Sequence, residues 1–143
     1  MRWLKALTGT VLLATGGLIY LAERPRETLL IIVAEKIGLK QWVDGLRLTA
    51  THINIPEWVS ESLPGALWSA AYILLMDAIV QNNSLKNRLV WCSVVPLMGV
   101  GSELMQWASL LPGTPDATDL ILYALPYILY TGILLIKKQK NNV

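Results

Sequence analysis

Long apolar stretches alternate with shorter polar segments along this chain. Four of them approach the roughly 20 residues that an α-helix needs to cross a bilayer, and they lie at residues 6–22, 63–80, 89–110 and 120–136. The first and last contain no charged residue, whereas the second contains Asp77 and the third Glu103. This pattern predicts an all-α membrane protein, a single integral membrane domain over residues 1–143 built on a bundle of four transmembrane helices.

The segment between the first two spans, residues 23–62, is longer than most structureless loops in compact domains. Its apolar run within Thr28 to Gly38 predicts an amphipathic helix, which lies either at the outer headgroup level or against the ends of the bundle. Asp44-Gly45 is typical of a turn, and the alternation over residues 46–51 predicts a short strand or irregular segment. Pro56 favours the first turn of a short surface helix before the second span.

Basic residues predict the orientation of the bundle, because positively charged loops stay on the cytoplasmic side of a membrane. Four spans place both termini on one side, and that side has no acid outside the spans. It holds seven of the 12 basic residues: Arg2, Lys5, Lys86, Arg88, Lys137, Lys138 and Lys140. We therefore expect a multi-pass protein of the bacterial cytoplasmic membrane, with both termini in the cytoplasm and residues 23–62 outside.

The first span is predicted to be retained in the membrane. Two bases before an apolar stretch are also typical of a signal peptide, but Tyr20-Leu21-Ala22 places bulky residues where a signal peptidase requires small ones. Thr10, Ala14 and Gly17 share one helical face, where another helix can approach closely. This face favours a packed transmembrane helix over a cleaved leader.

Composition excludes several classes of function. Hydrophobic residues make up 54% of the chain and charged residues only 15%, against about 25% charged in soluble domains. One Cys and one His cannot assemble a Cys/His zinc site, a CxxC pair or a disulfide framework, and we expect no cofactor. A net charge of +2 with scattered bases does not indicate nucleic acid, which leaves membrane lipids as the expected surroundings.

A candidate polar cluster lies where the third span ends and the fourth begins. Glu103 and Gln106 share one helical face, and a carboxylate within a span turns toward the bundle interior or a cavity because lipid exposure is costly. Asp116 and Asp119 follow in the next loop, although capping of the fourth helix by Thr118 or Asp119 would also explain an acid there. Together these three carboxylates and one amide suit a cation, a polyol or an amine.

Asp77 is a secondary candidate. It lies near the cytoplasmic end of the second span, just before the polar segment 81–84, so the simplest interpretation is a carboxylate that reaches the membrane interface. Asp77 and Glu103 are predicted at opposite membrane depths. We therefore do not expect them to form one catalytic pair.

The same loop carries a resemblance to a known family. Glu103-Leu104-Met105-Gln106 and the loop with Gly113, Asp116 and Asp119 resemble the signature of the VanZ-like membrane proteins, in which ExxQ ends one span and G-x-x-D-x-x-D opens the next. Residues 63–68 resemble the start of that family's second span more loosely. Typical members carry Arg at the position of Thr114, Asn near Tyr123 and Gly near Pro126, so the resemblance implies a divergent member. It implies a role in the cell envelope associated with glycopeptide (teicoplanin) resistance, and no defined reaction.

Three functions are compatible with these residues. The first is a non-catalytic envelope protein whose polar cluster binds a lipid headgroup, a lipid-linked or glycopeptide ligand, another drug or a partner helix. The second is a structural subunit of a membrane complex or a homo-oligomer, favoured by small residues on the first two spans and by the scarcity of catalytic groups. The third is a membrane enzyme acting on a lipid-linked substrate, with Asp116 and Asp119 holding Mg²⁺ and Glu103 as general base. Carboxylates without a nucleophile or a metal-binding histidine favour the first.

Overall fold

The computed structural model describes residues 1–53 and 55–141, and these form seven α-helices and no β-strand. Residue 54 of the predicted outer loop and residues 142–143 of the predicted domain lie outside the described residues. The helices are α1 (Arg2–Glu23), α2 (Leu29–Lys36), α3 (Lys40–Ala50), α4 (Glu57–Glu61), α5 (Leu63–Val80), α6 (Leu85–Trp107) and α7 (Ala117–Asn141). Of these, α1, α5, α6 and α7 are long and apolar enough to cross a membrane, which confirms the four predicted spans.

Consecutive spans run in opposite directions. Arg2 at the start of α1 donates to the carbonyl of Ala78 near the end of α5, whereas Gly16 packs beside Trp68. The same reversal joins α6 to α7, where Tyr127 donates to the carbonyl of Leu89 at the start of α6. Both termini and the α5–α6 turn therefore meet at one end of the bundle. We call it the basic end, after its seven Lys and Arg residues, and the opposite end, with α2 to α4 and residues 108–116, the acidic end.

Glycine allows α1 to pack closely on α5. A Cβ at Gly9 would lie 2.8 Å from Leu75 Cγ, and one at Gly16 would lie 2.7 Å from Trp68 Nε1. The face of α1 that the sequence indicated is a different one, because a Cβ at Gly17 would have no neighbour within 4 Å. A small-residue contact therefore holds α1 in the bundle, but it uses the face of Gly9 and Gly16, and the Thr10–Ala14–Gly17 face stays open.

A short helical layer covers the acidic end of α1. The predicted amphipathic helix is present as α2, whose buried Ile31 and Ala34 pack against Val43 of α3 and Leu21 of α1. The short helix expected after Pro56 is also present as α4, with Pro56 at its N-cap. Of the two predicted locations for the amphipathic helix, the packed one is observed within the chain, while its depth in a membrane stays a prediction.

The predicted turn at Asp44-Gly45 and the strand at 46–51 are wrong, because α3 continues through this stretch to Ala50. Arg47 donates to the carbonyls of Leu21 and Arg24 at 3.0 and 2.8 Å, which fixes α3 across the end of α1. Arg26 also forms an ion pair with Asp44, and this hydrogen bond raises the pKa of the Arg26 guanidinium above its usual value. These tertiary contacts outweigh a six-residue alternation, which is too short to specify a strand without a partner.

Candidate functional site

The predicted polar cluster is only partly assembled at the acidic end. Glu103 lies in the last turns of α6 and is 5% exposed. Its Oε2 accepts a hydrogen bond from the backbone N–H of Asp116 at 3.2 Å, so a buried carboxylate joins α6 to the loop that precedes α7. The carboxylate of Asp116 points elsewhere, because its Oδ1 accepts the N–H of Thr118 at 2.7 Å. Asp116, and not Thr118 or Asp119, therefore caps the start of α7.

Gln106 contacts the same loop farther along. Gly113 has a φ of +139°, a conformation that residues other than glycine rarely adopt. A Cβ at this position would lie 2.8 Å from Oε1 of Gln106. Glycine is thus required both for the backbone conformation and for the close approach of the loop to the Gln106 side chain. This contact places Gln106, one turn beyond Glu103, against the loop at Gly113.

Asp119 lies in the first turn of α7, four residues before Tyr123. Its Oδ1 is buried and accepts no hydrogen bond from the described residues, and the same holds for the donor Nε of Arg24 at the end of α1. The acidic end therefore contains one acceptor and one donor that are both buried and unpaired within the described chain.

Two glycines make room for this tyrosine. A Cβ at Gly65 on α5 would lie 2.8 Å from Cζ of Tyr123, and a Cβ at Gly99 on α6 would overlap its ring. Ser69 adds a hydrogen bond of 3.0 Å to the Tyr123 carbonyl. The tyrosine is thus packed between α5 and α6.

The acids of the acidic end do not converge as a metal site. Within residues 1–53 and 55–141, no three His, Cys, Asp or Glu side chains are grouped so that they could hold a metal ion. The arrangement of Glu103, Asp116 and Asp119 consequently gives no support to the magnesium site of the enzymatic alternative.

A second polar site lies at the basic end, centred on Asp77. This side chain is 3% exposed, so it does not simply reach the interface as its position in the sequence indicated. Its Oδ2 lies 2.8 Å from Lys5 Nζ. Its Oδ1 accepts hydrogen bonds from Arg88 Nη2 and Nε at 2.7 and 2.9 Å and from the Tyr130 hydroxyl at 2.7 Å. One carboxylate on α5 thus joins all four spans, through Lys5 of α1, Arg88 of α6 and Tyr130 of α7.

A cavity of about 670 Å³ lies beside this carboxylate. Its polar lining includes Lys5, Asp77, Arg88 and Tyr130 together with Lys137 and Lys138. The polar groups are accompanied by apolar side chains of α5 and α7, including Leu74, Ile133 and Leu134. The cavity lining therefore combines charged groups with apolar side chains.

Asp77 and Glu103 lie at opposite ends of the bundle, as expected from the sequence. The partners of Asp77 were not singled out by sequence reasoning. The available signal was the position of Lys5 and Arg88, which lie within the ends of apolar helices, where a charge needs a partner. The sequence around Tyr130 and Arg24 gave no comparable indication that these residues belong to a polar site.

No known family model, curated protein or solved structure matches this chain. Its class rests on the fold instead. Four helices of membrane-spanning length and apolar composition make it an all-α, multi-pass membrane protein.

Proposed function

We propose that this chain is a VanZ-like, non-catalytic protein of the bacterial cell envelope that binds a hydroxyl- or amine-bearing ligand at its acidic end. The observation that carries the proposal is the buried Oδ1 of Asp119, which accepts no hydrogen bond within the described chain. A buried carboxylate oxygen without a donor is costly. A ligand that donates to it would relieve that cost.

The second unpaired atom narrows the ligand chemistry. Arg24 Nε is a buried donor at the same end, so that end offers one unpaired acceptor and one unpaired donor within the described chain. A hydroxyl group both donates and accepts hydrogen bonds. A glycerol headgroup or the sugar of a glycopeptide carries several such groups, which agrees with the envelope role, including glycopeptide resistance, that the family resemblance implies.

The test is protection of a susceptible bacterium against teicoplanin. Cells expressing the chain should tolerate more drug than cells without it, and Asp119→Ala or Glu103→Ala should abolish this protection while the protein still accumulates in the membrane. Glu27→Ala is the matched control, because Glu27 is an exposed acid at the same end. Protection that survives in both cluster variants, or that never arises with the unaltered chain, contradicts the proposal.

The proposed orientation places the basic end in the cytoplasm, as the distribution of bases favours. It is tested in a Cys92→Ser background with one cysteine introduced at a time, by Glu27→Cys at the acidic end or Lys140→Cys at the basic end. A membrane-impermeant maleimide added to intact cells should label the first variant and not the second. The reverse labelling pattern would show that the basic end lies outside the cell and would contradict the proposed orientation.

A structural subunit of a membrane complex is the second candidate, favoured by the open face of α1. Thr10 and Ala14 are exposed on α1, and a Cβ at Gly17 would meet nothing. Small residues on an unoccupied helix face permit close approach of another transmembrane helix. If this candidate is right, Gly17→Leu should release a partner or dissociate an oligomer in native mass measurements of detergent-purified protein, whereas Leu18→Ala on the neighbouring position should not.

A further inference from the structure

The cavity at the basic end has an excess of positive charge. Its lining contains four bases, Lys5, Arg88, Lys137 and Lys138, against one acid, Asp77. Asp77 is shared by Lys5 and Arg88, so its single negative charge balances only one of them. Lys137 and Lys138 make no ion pair within the described part of the chain. Three positive charges are therefore left in excess around about 670 Å³ of space.

Donor groups remain available in this cavity. Asp77 occupies Nε and Nη2 of Arg88, and Nη1 of the same guanidinium has no hydrogen-bond partner in the described chain. Lys5 Nζ contacts Asp77 and Gln81, which uses two of its three protons. Arginine and lysine together are the usual ligands of phosphate oxygens in proteins.

Part of the cavity lining is apolar. It includes Leu74 and Leu134 together with Ile133, which is 53% exposed. An exposed aliphatic side chain on a membrane-spanning helix faces the acyl chains of the bilayer. The cavity thus offers cations to a lipid headgroup and apolar side chains to the acyl chains of the same lipid.

We propose that this cavity binds the phosphate group of an anionic phospholipid from the adjoining leaflet. The lining favours a lipid over free phosphate because it includes Ile133, whose apolar side chain is also exposed on α7. Lys137 and Lys138 lie at the end of the same span, where basic side chains attract anionic headgroups. The inference is independent of the ligand proposed for the acidic end, since the two sites lie at opposite ends of the bundle.

The experiment is native mass spectrometry of the full chain in detergent, titrated with phosphatidylglycerol and, separately, with phosphatidylcholine. The unaltered chain should retain phosphatidylglycerol in preference to phosphatidylcholine. Lys137→Gln/Lys138→Gln should weaken phosphatidylglycerol binding by about 25-fold, about fivefold for each lysine. Lys86→Gln/Lys140→Gln is the matched control, because it removes the same charge from exposed positions at the same end that do not line the cavity.

Three results would overturn the inference. Equal losses in the two double variants would show general surface attraction and no binding in the cavity. Equal retention of the two lipids would show that the excess charge does not select an anion. Displacement of the bound lipid by excess inorganic phosphate, in a parallel titration, would make free phosphate the ligand. Circular dichroism of all variants checks that they remain helical, which is expected because all four substituted lysines are exposed.

Discussion

Replacement of Asp77 by Asn tests whether one carboxylate holds the four spans together. The substitution keeps the size of the side chain and removes its charge. Lys5 and Arg88 then lose the acid with which each forms its ion pair. The Tyr130 hydroxyl can still donate to the amide oxygen, so the change isolates the ionic part of the contact.

The expected loss is about 3 kcal/mol in the free energy of unfolding. Removing one partner of a buried ion pair costs roughly 3 to 5 kcal/mol, because it leaves an uncompensated charge in a low-dielectric site. Here the side chain of Asp77 is 4% exposed, while those of Lys5 and Arg88 are 25% and 19% exposed. Water at the end of the bundle therefore relieves part of the penalty, which sets the loss at the lower end of that range.

The assay is unfolding by titration with sodium dodecyl sulfate in detergent micelles, followed by fluorescence of the six tryptophans. Asp44→Asn is the control, since it makes the same chemical change in an exposed ion pair with Arg26. Exposed pairs contribute little to stability. If Asp77→Asn loses no more stability than Asp44→Asn, the idea that Asp77 joins the spans is refuted.

Three further results follow from the packing of the bundle. Gly99→Ala places a Cβ against the ring of Tyr123 and should lower the free energy of unfolding by about 1–3 kcal/mol in the same titration. Gly101→Ala, which has open space at its Cβ, should not destabilise the protein. Equal effects of the two variants would contradict the close contact at Gly99. Cys92 is fully buried, so a soluble maleimide should label it only after denaturation, and rapid labelling of the folded protein would contradict this burial. Tyr130→Phe removes a hydrogen bond to a carboxylate and should cost about 1.5–3 kcal/mol, and an unchanged midpoint would show that the bond does not stabilise the bundle.

The four spans could be predicted from sequence because run length and the absence of charge are local properties. Their ends were less well defined, since α6 begins at Leu85 and ends at Trp107, against a predicted 89–110. The amphipathic α2 was predictable for the same local reason. The strand at 46–51 failed because alternation over six residues fits a helix surface equally well, and the deciding contacts of Arg47 come from a segment more than 20 residues away.

The two polar sites differ in how far the sequence could reveal them. Glu103 and the loop at Asp116 are 13 residues apart, so a motif within one stretch places them near each other. Asp77 and Tyr130 are 53 residues apart and meet only because α5 and α7 pack side by side. Nothing in either local sequence indicates the other, and the Asp77 site therefore needed the structure.

The positions of Asp77 and Glu103 in the bundle explain why these two acids make different contacts. α5 is the most enclosed span, with 44% of it buried against 17% or less for the others. An acid near its end can therefore touch the three surrounding spans at once, as Asp77 does through Lys5, Arg88 and Tyr130. Glu103 lies on the more peripheral α6, and its one hydrogen bond within the described chain goes to a loop. Asp77, whose charge is paired, is suited to holding the bundle together. The acids of the acidic end have fewer partners within the described chain, and they are the ones proposed to bind a ligand.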